Sequence, residues 1–581
     1  MTPWSETSKK QRNSVYTGIG LSVLCAVYCL IIRRIVVVNG ESRFFDCVLY
    51  AFKVVIGGSF DGIDGTAFAV GVSGFVLLLL VIGWGAFAFI SAKESAYGEA
   101  RFATASDLKR MGLTDRKNAS GVIVGKVGRK LLSPTCLRHG IALAPTRSGK
   151  TAGFVIPTAL SFKGSLIIAD PKGELETLLA EPLKKAGKTV YALDWSDEKA
   201  KDAWNPLSLK VFPSVLSSFG KAERQAERIA AMLVGQKGQA EDHWEANAKK
   251  HIAALILLAV YLAEIAEQRL DPNNPATVAD YETYREPHLS RVFGFVAKDV
   301  DVQTLLSKGA EAVNSAKDNL RDLLRFAAEV GAPQRILTDL ASWANAPDNE
   351  AGSHTTTFLS KLQIWRSRAV KGATRECSFE WRDLRETPSV VFIKFPQQDA
   401  QSLGVLTALF FETFFGWALD VPKKTNECPI AILADEFASL PKINLMTDFL
   451  SKGAGMGAVV WLIVQDFAQI KATYGDKAFE TIKTNCSYLL VYAQNNYATQ
   501  KELAEMVGKA TRKRKSVSKS GKGGVSVSEN DEGLDLIPVA DWGAIPFGRH
   551  VLLCQNFLTR PVWCKTPLYF KEKRFTEMLH G

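Results

Sequence analysis

Gly149, Lys150 and Thr151 close the stretch "ALAPTRSGKT", residues 142 to 151. They match the end of a phosphate-binding loop, G-x-x-x-x-G-K-[ST]. Such a loop needs backbone N–H groups aimed at phosphate and a helix N-terminus behind them. On that reading Thr146, Arg147, Ser148, Gly149, Lys150 and Thr151 cradle a nucleotide. Gly149 permits close approach, the Lys150 ammonium reaches the β- and γ-phosphates, and the Thr151 hydroxyl holds Mg²⁺. The first position is Ala144 rather than glycine, which suits alanine if its φ stays negative. A second constellation lies far downstream. In "CPIAILADEFASL" the apolar residues Ile430 to Leu433 lead through Ala434 into Asp435 and Glu436. Asp435 is suited to bind Mg²⁺, directly or through water. Glu436 is suited to act as general base on an attacking water. A solvated acidic turn would look the same in isolation. Gln465 ends "GAVVWLIVQD". Beside a nucleotide it would sense the γ-phosphate or position water; otherwise it is a surface side chain.

Elements must bring these pieces together. "SGVIVGKV" and "HGIALA" read as strands, the second leading into the loop at 144. "TAGFVIPTALSF" reads as a helix interrupted by Pro157. "GSLIIADPKGEL" gives a buried strand, Leu166 to Ala169, ending in Asp170. The loop therefore sits between strand and helix in a βαβ unit, the context a phosphate loop requires. Continuous apolar runs are the signature of parallel strands buried on both faces. "PSVVFIKFP", "CSYLLVYAQNN" and "GRHVLLCQNF" extend the sheet. With helices such as Ala400 to Asp420 between them, the expected class is α/β, doubly wound and largely parallel. Residues 215 to 350 read as helices only, an all-α insert between two halves of the sheet. Residues 511 to 532, rich in Lys, Arg, Ser and Gly, read as a flexible basic loop. That loop contacts nucleic acid or membrane, or is a solvated surface segment.

The chain has 581 residues, more than one domain usually takes, and 47% of them are hydrophobic. Its net charge of +11 suits a nucleic acid or an anionic membrane face. The nine cysteines form no C-x-x-C pair, which argues against a metal site or disulfide framework. Two uncharged stretches near the N-terminus, within 15–35 and 68–91, are long enough to span a bilayer. Lys9, Lys10 and Arg12 precede the first, and Lys93 and Arg101 follow the second. Positive flanks stay inside, so both termini are expected in the cytoplasm, with the loop 36–66 outside. Arg33 and Arg34 sit on the unfavourable side of the first span. A third apolar run, Ile252 to Ala266, is too short to span and carries Glu264; it reads as a buried helix.

Several pieces in fixed order resemble a known family. They are "GEARFATASDL" after two membrane spans, then "APTRSGKT", "IIADPKGEL", "WNPL", "FLSKLQIW", "ILADEFASL" and "VQD". The chain resembles the TraG/TraD-type coupling proteins of type IV secretion systems over about residues 1 to 570. That resemblance implies a RecA-like P-loop NTPase domain with an all-α domain inserted and an N-terminal two-helix transmembrane anchor. The implied segments are an anchor at 1–95, nucleotide-domain parts at 96–214 and 351–581, and the all-α domain at 215–350. It implies a two-pass bacterial inner-membrane hexamer that binds and hydrolyses ATP with Mg²⁺. The implied partners are single-stranded DNA with its relaxase, protein effectors, channel subunits and membrane lipid. Lys150 and Thr151 match the Walker A positions, Asp435 and Glu436 Walker B, and Gln465 the downstream glutamine. An arginine finger from a neighbour is implied, with Arg366, Arg368 and Arg375 as candidates. Two other readings stand beside it: an FtsK-type pump for double-stranded DNA, and a docking receptor that does not hydrolyse nucleotide.

Overall fold

The computed structural model describes residues 37–38, 41–42, 97–113, 120–235, 243–297, 309–394, 396–519 and 525–580. The chain divides into two units, Met1–Ala96 and Tyr97–Gly581. The expected spans at 15–35 and 68–91 lie outside the described residues. In the first unit the description covers a short antiparallel pairing of Val37–Val38 with Glu41–Ser42.

The second unit is built on an 11-stranded sheet. Its strands are β1 (Gly125–Val127), β2 (Lys130–Leu132), β3 (Gly140–Leu143), β4 (Ser165–Ala169) and β5 (Thr189–Asp194). After the helical insert come β6 (Ser389–Lys394), β7 (Ile430–Ala434), β8 (Ala458–Val464) and β9 (Tyr488–Val491). Next are the ribbon strands β10 (Lys509–Lys519) and β11 (Val525–Asp535), then β12 (Arg549–Cys554) and β13 (Val562–Lys565). The order across the sheet is β2-β1-β13-β12-β9-β3-β8-β7-β4-β6-β5. The seven strands from β9 to β5 are parallel. The four beyond β9 alternate antiparallel.

Alternation explains how the sheet is held. In β3, Ile141 and Leu143 join one hydrophobic layer, while Ala142 and Ala144 join the other. β4 splits the same way, with Ile167 in the first and Leu166 and Ile168 in the second. Successive side chains of a strand point to opposite faces, so a run with no polar break needs cover on both. The first layer is continuous with the insert, where Ile229, Ile252, Trp343 and Phe358 belong to it. The insert joins that layer through helix Ala400–Asp420, against which its helix Phe219–Val234 packs.

Two expectations need correction. The helices do not stop at 350: Asp348–Leu362 and Arg368–Ala373 continue the run before β6 begins. The segment 511–532 is not a loop over its described residues, since β10 and β11 pair antiparallel from Lys509↔Asp535 to Lys519↔Val525. The register sets Arg512 opposite Glu532, and Arg514 lies 3.7 Å from Glu532, so opposite charges face each other across the ribbon. The expected largely parallel sheet is found, and "GRHVLLCQNF" joins it as β12, antiparallel to β9 because the chain re-enters the sheet from the carboxyl end, where Gln494 N–H bonds Trp542 O.

Two helices, Glu245–Gln268 and Ser402–Asp420, are long and apolar enough to cross a membrane, yet most of the apolar stretch of each is buried inside the unit. The first contains the Ile252–Ala266 run. Its Glu264 carboxylate accepts the N–H groups of Val215 and Leu216 at 3.0 Å each, as a core helix of a folded unit requires.

Candidate functional site

The parallel register brings the chemistry to one edge. Leu143 pairs with Val464, Leu462 with Ala434, and Ala434 with Ala169. The residues that follow each strand end—Ala144, Gln465, Asp435 and Asp170—therefore share the carboxyl edge, where ligands of open α/β sheets bind. β8 lies between β3 and β7, so the loop and Asp435 sit two strand spacings apart, about 10 Å. The Lys150 side chain closes that gap.

The loop continues β3 by one residue, with Ala144 N–H donating to Val464 O at 2.8 Å. Ala144 keeps a negative φ, so its Cβ is unstrained. The turn that follows places Arg147 at φ 61° and Gly149 at φ 85°, the left-handed region. Thr146 and Arg147 are exposed. Behind them a widened turn, Thr151–Val155, passes into the regular helix Ile156–Ser161. As the sequence suggested, the helical run Thr151–Ser161 is not regular: Pro157 stands where the widened turn gives way to the regular helix, and Val155 and Ile156 before it keep helical backbone.

Lys150 Nζ lies 2.8 Å from Asp435 Oδ1, and Thr151 Oγ1 donates to Asp435 Oδ2 at 3.3 Å. One carboxylate thus holds both functional side chains of the loop. Glu436 follows at φ 55°, a conformation that costs a non-glycine residue on the order of 1 kcal/mol and that collects at functional sites. The turn is fixed by Glu436 N–H donating to Asp435 Oδ1 and by Ser439 N–H and Oγ–H donating to Glu436 O. Among the described residues, the Glu436 carboxylate has no hydrogen-bond partner. Gln465 is exposed at the end of β8, between the loop and Asp435, with its N–H held by Gln469 Oε1 at 2.8 Å. Lys150, Thr151, Asp435, Glu436 and Gln465 therefore converge.

Asp170 was legible as the end of a strand but not as a member of this group. It is buried, its Oδ2 accepts Glu176 N–H at 2.9 Å, and β4 lies beside β7. Burial first, and then the charge of Asp435, push its carboxyl up to about 6. Two residues pointed to it: a carboxylate ending an apolar run, and Gly173, which takes φ 70° to start the next helix. Further along the edge Lys394 sits between Glu176 at 3.3 Å and Asp194 at 3.4 Å.

The donor set suits a hard dication, since a hydroxyl and carboxylate oxygens converge. The loop also contains a buried hydroxyl, Ser148 Oγ, with no partner. Of the arginine candidates, Arg375 is committed within its own chain to the carbonyls of Ala200, Lys201 and Gly372. Arg366 and Arg368 are exposed.

The family described as type IV secretory system conjugative DNA transfer matches residues 98–580. A conjugal transfer protein TraG from Escherichia coli is 26% identical over 463 residues, covering 74% of this chain and 67% of TraG. Protein VirD4 from Rhizobium radiobacter is 25% identical over 510 residues, covering 85% of this chain and 67% of VirD4. Among solved structures, the bacterial conjugative coupling protein TrwB lacking its N-terminal 70 residues has a similar fold, with TM-score 0.54 and 16% identity. The likeness covers 82% of this chain and 95% of that one. TrwB in complex with the ATP analogue ADPNP is similar to the same degree, at TM-score 0.54 and 16% identity, covering 82% of this chain and 96% of TrwB.

Proposed function

Because the chain belongs to the conjugative DNA transfer family of the type IV secretory system, the coupling proteins, we propose that its sheet edge is the ATPase site that drives transfer. The observation that carries this reading is the triad of Lys150 and Thr151, in the loop after β3, with Asp435, just after β7. ATP and Mg²⁺ are the ligands it suits, and TrwB is known with ADPNP and with ADP and Mg²⁺.

The residues divide the work. Backbone N–H groups of 146–151 cradle the phosphates, and Lys150 leaves Asp435 to neutralise the β- and γ-oxygens. Thr151 and Asp435 hold Mg²⁺, which, when bound, offsets charge on the transferring group. Glu436 takes a proton from water as its oxygen bonds the γ-phosphorus and the bond to the β–γ bridging oxygen breaks. Gln465 holds that water in line. A neighbouring subunit supplies an arginine, with Arg366 or Arg368 better placed than Arg375, whose guanidinium is already bound.

The cargo is single-stranded DNA with its relaxase, or protein effectors, handed to the secretion channel by a membrane-held hexamer. The spans are 15–35 and 68–91, two passes of the inner membrane with both termini cytoplasmic. An FtsK-type pump is disfavoured by the relatives, which are conjugal transfer and secretion proteins. A silent docking receptor is disfavoured by the complete loop and carboxylate set.

Glu436→Gln keeps shape and removes the base. ATP should bind as in wild type while turnover falls roughly 10²-fold or more, the usual share of a general base. Lys150→Ala should lose affinity as well. Near-normal turnover in Glu436→Gln would sink the assignment of the base.

A further inference from the structure

Two segments far from the phosphate loop in sequence flank it in space. β12 and β13 run antiparallel with Arg549 opposite Lys565, and Val551 pairs with Val491, itself level with Leu143. The residues before β12 and after β13 therefore lie at the carboxyl edge beside the loop. Before β12 stands Phe547, between Pro546 and Gly548, and 65% exposed. A Cβ on Gly149 would meet Phe547 Cε2 at 3.2 Å and Leu568 Cδ2 at 3.4 Å. After β13, Thr566 and Leu568 crowd Gly153, where a Cβ would lie 2.0 Å from Thr566 Cγ2 and 3.6 Å from Leu568 Cδ2. The turn Tyr569–Lys571 then packs on Thr151–Val155. Phe570 on that turn is 51% exposed.

The phosphates of a nucleotide held by 144–151 bind along the loop and the helix start. The ribose and base must then leave on the side of Thr151–Val155, where Phe547 and Leu568 stand. The Phe547 ring reaches the loop with its Cε2–Cζ edge and leaves most of its surface open to solvent. A large exposed apolar ring beside an anion-binding loop has little to gain from water. It has much to gain from a flat π-system tethered to that anion.

We propose that Phe547, with Leu568 beside it at Gly149, is a stacking platform for the base of the bound nucleotide. It prefers purines to pyrimidines by ring area and distinguishes adenine from guanine weakly. The exposed Phe547 ring offers contact area but no hydrogen-bonding group to read a base edge, and discrimination by such groups is what separates close analogues. The proposal rests on the nucleotide reading of the site.

The test uses the full chain in detergent, with Mg²⁺, and four probes: ATP, GTP, CTP and inorganic tripolyphosphate. In wild type, ATP and GTP should bind within about tenfold of each other and both tighter than CTP. Phe547→Ala should weaken ATP and GTP alike, by roughly tenfold to a hundredfold, the usual range for loss of a base–aromatic stack. Tripolyphosphate, which has no base, should bind Phe547→Ala as it binds wild type. Phe547→Tyr and Phe547→Trp should restore nucleotide affinity. Equal losses for ATP and tripolyphosphate would mean that the ring only shapes the loop, and would overturn the platform. So would unchanged ATP affinity in Phe547→Ala, including the case where the variant alters only subunit assembly. If wild type binds neither ATP nor tripolyphosphate, the nucleotide reading itself falls and takes the platform with it.

Discussion

At the scale of single residues, the site was read from spacing where its chemistry is local and missed where it depends on strand order. Lys150 and Thr151 are adjacent, as are Asp435 and Glu436, so local patterns exposed both pairs. Asp170 and Phe547 reach the site only because β4 neighbours β7 and because β12 returns beside β9. Asp170 offers a test that does not depend on catalysis. Its carboxyl is pushed up to about 6 by burial and by Asp435. A carboxyl raised in the folded state keeps its proton between its unfolded value, about 3.9, and about 6, so stability falls as pH rises through that window. Asp170→Asn removes the charge and keeps an oxygen to accept Glu176 N–H. In EDTA at pH 7.5 the variant should be more stable than wild type, by roughly 1–3 kcal/mol at about 1.4 kcal/mol per pKa unit. The gap should close below about pH 4. Thermal unfolding of both proteins across pH 4 to 8 measures it. A variant less stable than wild type at pH 7.5 would mean that the carboxylate is held charged by a partner.

At the scale of elements, the central strands were legible because a strand buried on both faces has no polar break. The ribbon β10–β11 was not. Its sequence lacks an apolar period, and its pairing follows charges that meet only after folding, such as Arg514 and Glu532 at 3.7 Å. The boundary near 350 was missed because helix Asp348–Leu362, DNEAGSHTTTFLSKL, opens on a polar Ser- and Thr-rich stretch and has a weaker apolar stripe than the helices before it. The strand that carries the phosphate loop also depends on a close approach that sequence alone did not reveal. Gly140 of β3 pairs with Trp461 of β8, and a Cβ there would lie 2.4 Å from Trp461 Cζ3. That indole also packs on Phe154, behind the loop, and stacks on Tyr488 with centroids 6.1 Å apart. Gly140→Ala should therefore destabilise by about 1–3 kcal/mol, the range for overpacking a dense core, and weaken nucleotide binding through Phe154. Trp461→Phe makes room, so the double variant should recover part of the loss. Purely additive effects of the two substitutions, read by thermal unfolding, would show that the clash is relieved elsewhere.

At the scale of the whole molecule, the nucleotide unit and its helical insert share one hydrophobic layer. The two membrane-length helices of that unit are largely buried inside it, so on the proposed reading anchoring is assigned to the sequence stretches within 15–35 and 68–91. The proposed membrane-held hexamer would have a consequence that one subunit cannot have. Glu436→Gln binds ATP and does not fire, so in a ring it should stall neighbours that wait for its turn. Co-expressed equally with wild type, random mixing into hexamers would leave roughly one ring in sixty free of the variant, if six identical subunits close the ring. Transfer should then drop far below half, whereas independent subunits would retain about half. Lys150→Ala, which fails to bind, provides the control for a subunit that is merely absent from the cycle. Mating frequency against the ratio of variant to wild type separates the cases. A linear decline would show that the subunits fire independently, and the coupled ring would have to be given up. A steep decline with Glu436→Gln and a shallower one with Lys150→Ala is the outcome expected of a ring whose subunits must fire in turn.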